Sequence, residues 1–320
     1  MAILAIALDN SGEHAEAVRV GRECLVLRQR VLGEEHEHTL ITMHWLAFAL
    51  LYLPDQEHHA LDIIFRCSQL ARSPSRTSLL TSFHLCKMDA VHALALSHNH
   101  LHEEAERMAR SAVEQGESLE EEMLDIHIFA LAALCEVLLR SGQPAECACV
   151  GREFLELRPR ELGRKHRNTH NTMHHLSLAL AQIGEYAEAA RVERECLATR
   201  IDALVEMLPD TLESMSNLAA ALQHLGDFSD AVRAGEECHA LQDEPALHGE
   251  EYVESIQKMV PVLFRSCLAL DIGTLGQEHP ETEFAMHLLL TSHGRCCTPF
   301  LDAVRDLLAF QASRLDISSC

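Results

Sequence analysis

A spacing of 42 residues runs through this chain. Gly142, Gly184 and Gly226 follow one another at that interval, and Gly12 sits in a matching setting near the start. The stretches TMHWLAFALLYLPDQEHHAL, TMHHLSLALAQIGEYAEAA and SMSNLAAALQHLGDFSDAV each carry a Met (Met43, Met173, Met215), then Leu-Ala or Leu-Ser, a further Leu, a turn and an Ala. In each, the apolar residues before the turn recur on one helical face. A Gly or a substitute breaks the pattern, and Glu-Ala or a similar pair opens a second helix. The unit is therefore a helical hairpin. Its apolar stripe can be covered only by neighbouring hairpins, so the chain is expected to be an all-α stack of repeats.

Composition agrees with packed helices. Hydrophobic residues make up 48% of the 320, enough for a substantial core, yet aromatics are only 4%, so close approach of Ala and Leu must supply the packing. No apolar run reaches the ~18 residues of a membrane span, and the opening MAILAIALDNSGEH lacks the basic start of a secretory signal. The expectation is a cytoplasmic protein with no membrane partner. A net charge of −23 repels phosphate, which argues against nucleic acid.

The cysteines follow the repeat. Counting seven on from the Ala after each turn gives Cys24, Cys67, Cys196 and Cys238, with Cys267 matching in a less regular unit. One small buried residue per repeat fits, and thiols a whole unit apart cannot easily pair. Cys147 with Cys149, and Cys296 with Cys297, have no second pair at zinc-site spacing. His170 and His174 share a helical face at a spacing that could hold a metal, but no third ligand is evident in the sequence. HNHLH at 98 reads as a polar turn in the place of a glycine. No nucleophile elbow, phosphate loop, dinucleotide fingerprint or Cys-x-x-Cys is present, so neither catalysis nor a cofactor is expected. The competing class would be a metal-dependent enzyme built on the clustered histidines.

These units resemble the tetratricopeptide repeat family, in the 42-residue form found in kinesin light chains. The likeness rests on Leu176, Leu180, Gly184, Ala189 and Cys196 in one unit and on Leu218, Ala219, Leu222, Gly226, Ala231 and Cys238 in the next. It rests also on LGEEHEHT at 32, LGRKHRNT at 162 and LGQEHPET at 275, which are similar to the family's inter-repeat signature. In that setting His36, His166 and His279 are inter-repeat punctuation, and Thr169 is a candidate cap for the helix that follows. The resemblance implies a right-handed superhelical solenoid of helix-turn-helix hairpins whose first helices line a groove for extended peptides. It implies a scaffold with a protein or peptide partner, and places Trp45, His174, His175, Gln182, Ser216, Asn217 and Gln223 in that groove. Trp45, the sole tryptophan, either fills a gap between hairpins or stands in the groove as an anchor. The paired asparagines of kinesin light chains survive only as Asn217, so their cargo specificity is not expected here. The negative charge instead favours a basic or neutral partner, offset locally by the run RPRELGRKHR at 158, while ESLEEEMLD at 117 is its acidic counterpart.

Residues 1–249 are expected to form the regular array of about six repeats, the first truncated because Met1 aligns with Met43. Residues 250–320 are expected to hold a shortened unit, with Pro261 near the start of its surviving helix, and a terminal helical hairpin containing FLDAVRDLLAFQAS. Such a chain also reads as the sensing end of a longer signalling protein.

Overall fold

A computed structural model of the chain describes residues 14–73, 82–119, 124–157, 167–200 and 208–227, with scattered positions at 1–8 and 230–234. Ten helices occupy these segments: α1 (His14–Leu32), α2 (Glu37–Leu50), α3 (Glu57–Ala71), α4 (Ser82–His98), α5 (His102–Glu117), α6 (Leu124–Arg140), α7 (Pro144–Leu157), α8 (Arg167–Gln182), α9 (Tyr186–Arg200) and α10 (Leu208–Leu225). There is no strand among the described residues. The architecture is an all-α helical-repeat solenoid. By contacts the chain divides into two units, Met1–Ala179 and Leu180–Cys320.

The repeat is visible in individual hydrogen bonds. At the end of α4, α6, α8 and α10 the same Schellman turn recurs: Leu101 N–H bonds Leu96 C=O (3.0 Å), Gln143 bonds Leu138 (2.9 Å), Glu185 bonds Leu180 (2.9 Å) and Asp227 bonds Leu222 (3.0 Å). The residue before each of those donors must take a left-handed backbone. Gly142, Gly184 and Gly226 do so at φ of 76°, 84° and 77°. His100 fills the same position one period earlier at φ 62°, a region that His visits more readily than bulkier or β-branched residues do. The polar turn expected at HNHLH is thus the glycine turn with a histidine in it. Between α2 and α3 the turn is longer and Asp55, after Pro54, takes the positive φ, 58°.

In the first unit the outer helices α1, α3, α5 and α7 alternate with the inner helices α2, α4, α6 and α8. The inner ones pack on each other, α2 on α4 and α4 on α6, as well as on their hairpin partners. Leu40, Met43 and Ala47 of α2, Ile64, Cys67 and Ala71 of α3, and Met88, Val91 and Ala95 of α4 make one buried cluster. Three helices from two hairpins share it, so no hairpin closes its own core. Asn99 ties adjacent units by donating to Glu57 C=O, 42 positions back, at 2.9 Å.

Small residues set how closely the helices approach. The position seven after the small turn-following residue is Cys24, Cys67, Ala112, Phe154 and Cys196 in successive units, all buried. The Cys67 thiol donates to Leu40 C=O at 3.3 Å, and the Cys86 thiol to Ala112 C=O at 3.1 Å. Cys147 stands at the small turn-following position itself, with its sulfur 3.1 Å from that of Cys135 on α6. All seven described cysteines are free thiols, and only Cys149 is exposed. The sequence marked Thr169 as a cap, but α8 already begins at Arg167, so Thr169 lies within its first turn. In the equivalent earlier junction the cap of α2 is His36, whose side chain accepts from His38 N–H, while the Thr39 hydroxyl reaches back to Gly33 C=O at 2.8 Å.

In the second unit α9 packs on α10, the Tyr186 ring stacks on His224 at 4.3 Å, and Arg194 pairs with Asp230 at 3.2 Å. No described helix is long and apolar enough to cross a membrane. The basic run at 158, His166, His279, Cys238, Cys267, Pro261, the paired Cys296 and Cys297, the 249/250 boundary and the terminal hairpin lie outside the described residues.

Candidate functional site

The inner face of the first unit carries a shallow cleft to which four successive hairpins contribute. Phe48 and Tyr52 come from α2 and the turn after it, Leu94 from α4, Phe129 and Glu136 from α6, and Asn171 and His175 from α8. One wall is aromatic. Phe48 meets Phe129 edge-on at 5.7 Å and Tyr52 edge-on at 5.2 Å, the quadrupole-favoured arrangement for rings that fill space between hairpins.

The other wall is polar. The Glu136 carboxylate accepts from His98 Nε2 at 2.8 Å. Burial pushes this carboxyl up, but the His98 hydrogen bond and the positive charge of His175, His98 and Arg140 together outweigh it and hold the group at about 2. Glu136 is thus an anion throughout the physiological range, and its side chain keeps 23% of its surface exposed, so that charge can be felt by a ligand. The backbone of α8 at this wall is held by the Cys147 thiol, 3.9 Å from His175 C=O.

Of the seven residues expected in the groove, three lie in the first unit and four in the second. His175 lines the cleft. Its neighbour His174 is buried, as is His170 one turn earlier, so that histidine pair faces inward. Trp45 is half-buried and covers α1: a Cβ on Gly21 would stand 2.5 Å from the indole ring. That is the gap-filling position between hairpins. Gln182 is exposed at the end of α8, while on α10 Ser216 is buried and Asn217 and Gln223 are half-buried.

Phe48, Tyr52, Phe129 and Glu136 were not singled out from the sequence, although the repeat marks the last two. Leu94 and Glu136 are 42 apart, as are Phe129 and Asn171, and Ala133 and His175, and all six line the cleft. Neither α4 nor α6 carries the Met-x-x-Leu-Ala string that marks α2 and α10. Carrying the 42-residue register through them, and moving one helical turn along from the residue pair before Leu-Ala, reaches the cleft.

Residues 1–38, 170–206 and 211–242 match a family model described as tetratricopeptide repeat. No curated protein matches the chain. Among solved structures, the nearly identical TPR-like repeats of a putative kinesin light chain from Podosopora anserina are similar, with a TM-score of 0.51 and 20% identity over 68% of this chain and 100% of that one. BtubC (BKLC) from P. vanneervenii is similar with a TM-score of 0.53 and 15% identity, over 75% of this chain and 92% of the other. At those identities the likeness is one of fold.

Proposed function

We propose that this chain, whose residues 1–38, 170–206 and 211–242 match a tetratricopeptide repeat model, is a cytoplasmic interaction scaffold without a catalytic step, and that its inner cleft holds an extended peptide segment of a partner protein. The observation that carries this reading is the pairing of an aromatic wall, Phe48 with Phe129, with the fixed anion of Glu136. Such a surface suits a segment that packs an apolar side chain against the rings and places a basic or neutral polar group over the carboxylate. The overall charge of −23 steers the same class of partner by long-range attraction. His175 and Asn171 offer hydrogen bonds to the peptide backbone. In the second unit Gln182, Asn217 and Gln223 are proposed to do the same, whereas burial or packing of Trp45, His174 and Ser216 makes them supports of the inner helices.

A peptide array probed with the whole chain tests this. Hits should be neutral or basic and bind at ~1–100 μM, as expected for a short segment ordered on docking. Phe129→Ala should weaken every hit, while Glu136→Gln and ~0.5 M salt should weaken chiefly the basic ones. Predominantly acidic hits, or affinities indifferent to both substitutions, would remove the cleft from consideration.

A further inference from the structure

The side of the first unit away from the cleft brings together three groups that nothing above uses. Glu117 is the last residue of α5, His127 stands in the first turn of α6, and Glu153 lies on α7. Each presents one ligating atom, and the three atoms all lie within 4.8 Å of one another. We propose that Glu117, His127 and Glu153 bind a divalent cation of the zinc class, tying three consecutive helices together from the outside.

The histidine points to a ligand. His127 is 6% exposed, yet its Nδ1 is buried with no hydrogen-bond partner among the described residues. Its Nε2 comes no nearer than 4.0 Å to a Glu153 oxygen, too far for a hydrogen bond. A buried imidazole normally spends both nitrogens. Here one nitrogen is left over, and the other stands 4.0 Å from a Glu153 oxygen, a separation that an ion could bridge. Tetrahedral zinc with bonds of ~2.0–2.2 Å to nitrogen and oxygen sets its ligands roughly 3.4 Å apart. The exposed glutamates therefore need to close by up to about 1.4 Å, within reach of side-chain rotation, while the buried histidine stays where packing holds it.

Charge and framework agree with this. Two carboxylates and a neutral imidazole balance a dication, and one nitrogen with oxygens suits zinc or cobalt better than calcium or magnesium, which take oxygen alone. Three protein ligands also leave a coordination position for water. The juxtaposition is built into the backbone. A Cβ on Gly116 would sit 2.9 Å from His127 Cα, so the absence of a side chain there is what lets the end of α5 reach the start of α6 and carry Glu117 beside the ring.

The test uses the whole chain and Zn²⁺ alone, titrated in competition with a chromophoric chelator, with the visible spectrum of Co²⁺ as a second readout. Glu117→Gln and Glu153→Gln each remove one charged ligand at an exposed position, so both variants should fold. Each should weaken one zinc equivalent by at least about tenfold and alter the Co²⁺ band. Glu156→Gln, also exposed on α7, should leave both readouts as in the parent and so sets apart adventitious binding by the other histidines. Zinc should also raise the melting temperature of the parent and of Glu156→Gln more than that of the two site variants. If all four proteins bind zinc alike and melt alike with it, no site exists here and His127 is only an ion-pair partner of Glu153.

Discussion

Replacing Gly151 by Ala puts a methyl group where α7 and α8 are in direct contact. The added Cβ would lie 2.9 Å from Leu176 Cδ1, 3.0 Å from Leu176 Cβ and 3.2 Å from Leu176 Cγ. The δ-methyl could rotate away, but Leu176 Cβ is fixed to its helix, so relief requires the two helices to separate. Leu176 is fully buried, and overpacking of this kind costs about 1–3 kcal/mol. Ala also gains about 1 kcal/mol over Gly in helix propensity, leaving a net loss of roughly 1 kcal/mol or somewhat more. Leu176→Ala alone should cost about 2–5 kcal/mol by opening a cavity. In the double variant the clashes with Leu176 Cδ1 and Cγ are gone while the Cβ contact remains, so the overpacking is relieved in part and the combined loss should fall short of the sum by about 1 kcal/mol. Urea unfolding by far-UV circular dichroism, with tryptophan fluorescence as a second probe because repeat arrays can unfold in stages, gives the four stabilities. A stabilised Gly151→Ala variant, or strictly additive losses, would mean that these helices are not in contact at that point.

Other outcomes follow from the inner layer and the thiols. Burial and the neighbouring charge of Lys87 depress the His44 imidazole to about 4, and burial also lowers His92. Both are neutral when folded and take up a proton first in the unfolded chain. Stability should therefore be full above pH ~6.5 and be lost as pH falls from there toward 4. His44→Gln should flatten that decline in denaturant midpoints measured across the window; an unchanged slope would show that His44 is not the group responsible. Thiol labelling of native protein should modify Cys149 rapidly and Cys24, Cys67, Cys86, Cys135, Cys147 and Cys196 slowly, with Cys86 further restrained because burial pushes its thiol up to about 11. Denaturation under non-oxidising conditions should expose all twelve, and several resistant disulfides would contradict the buried, reduced thiols described here.

The hairpins were legible because a 42-residue register imposes the same backbone on different side chains, down to a left-handed residue that is Gly at 142, 184 and 226 and His at 100. The thiol rule was legible only in part, since Ala112 and Phe154 occupy positions that cysteine holds elsewhere. Buried volume is balanced across a packed layer, not within one column of the repeat. The cleft was the least legible. Which of two adjacent inner-helix residues turns outward depends on how neighbouring hairpins rotate against each other, and that decides between His175, in the cleft, and His174, beneath it. The Glu117–His127–Glu153 group lay beyond reach for a related reason: its members are unremarkable in the chain and meet only because Gly116 permits a close helix contact.

The cleft has a mechanical side. Its walls belong to α2, α4, α6 and α8, one helix from each of four hairpins, and the loops that join the hairpins do not line it. Turning any one hairpin against the next moves Phe48 relative to Phe129, or Glu136 relative to His175. An occupant bridging those walls acts as a splint across joints that otherwise flex independently. The converse also holds, because work done on an inner-helix joint must be reflected in the release rate of the occupant. Pulling the first unit from its two ends in a force spectrometer should thus shorten the dwell time of a bound peptide at loads too small to unfold any helix.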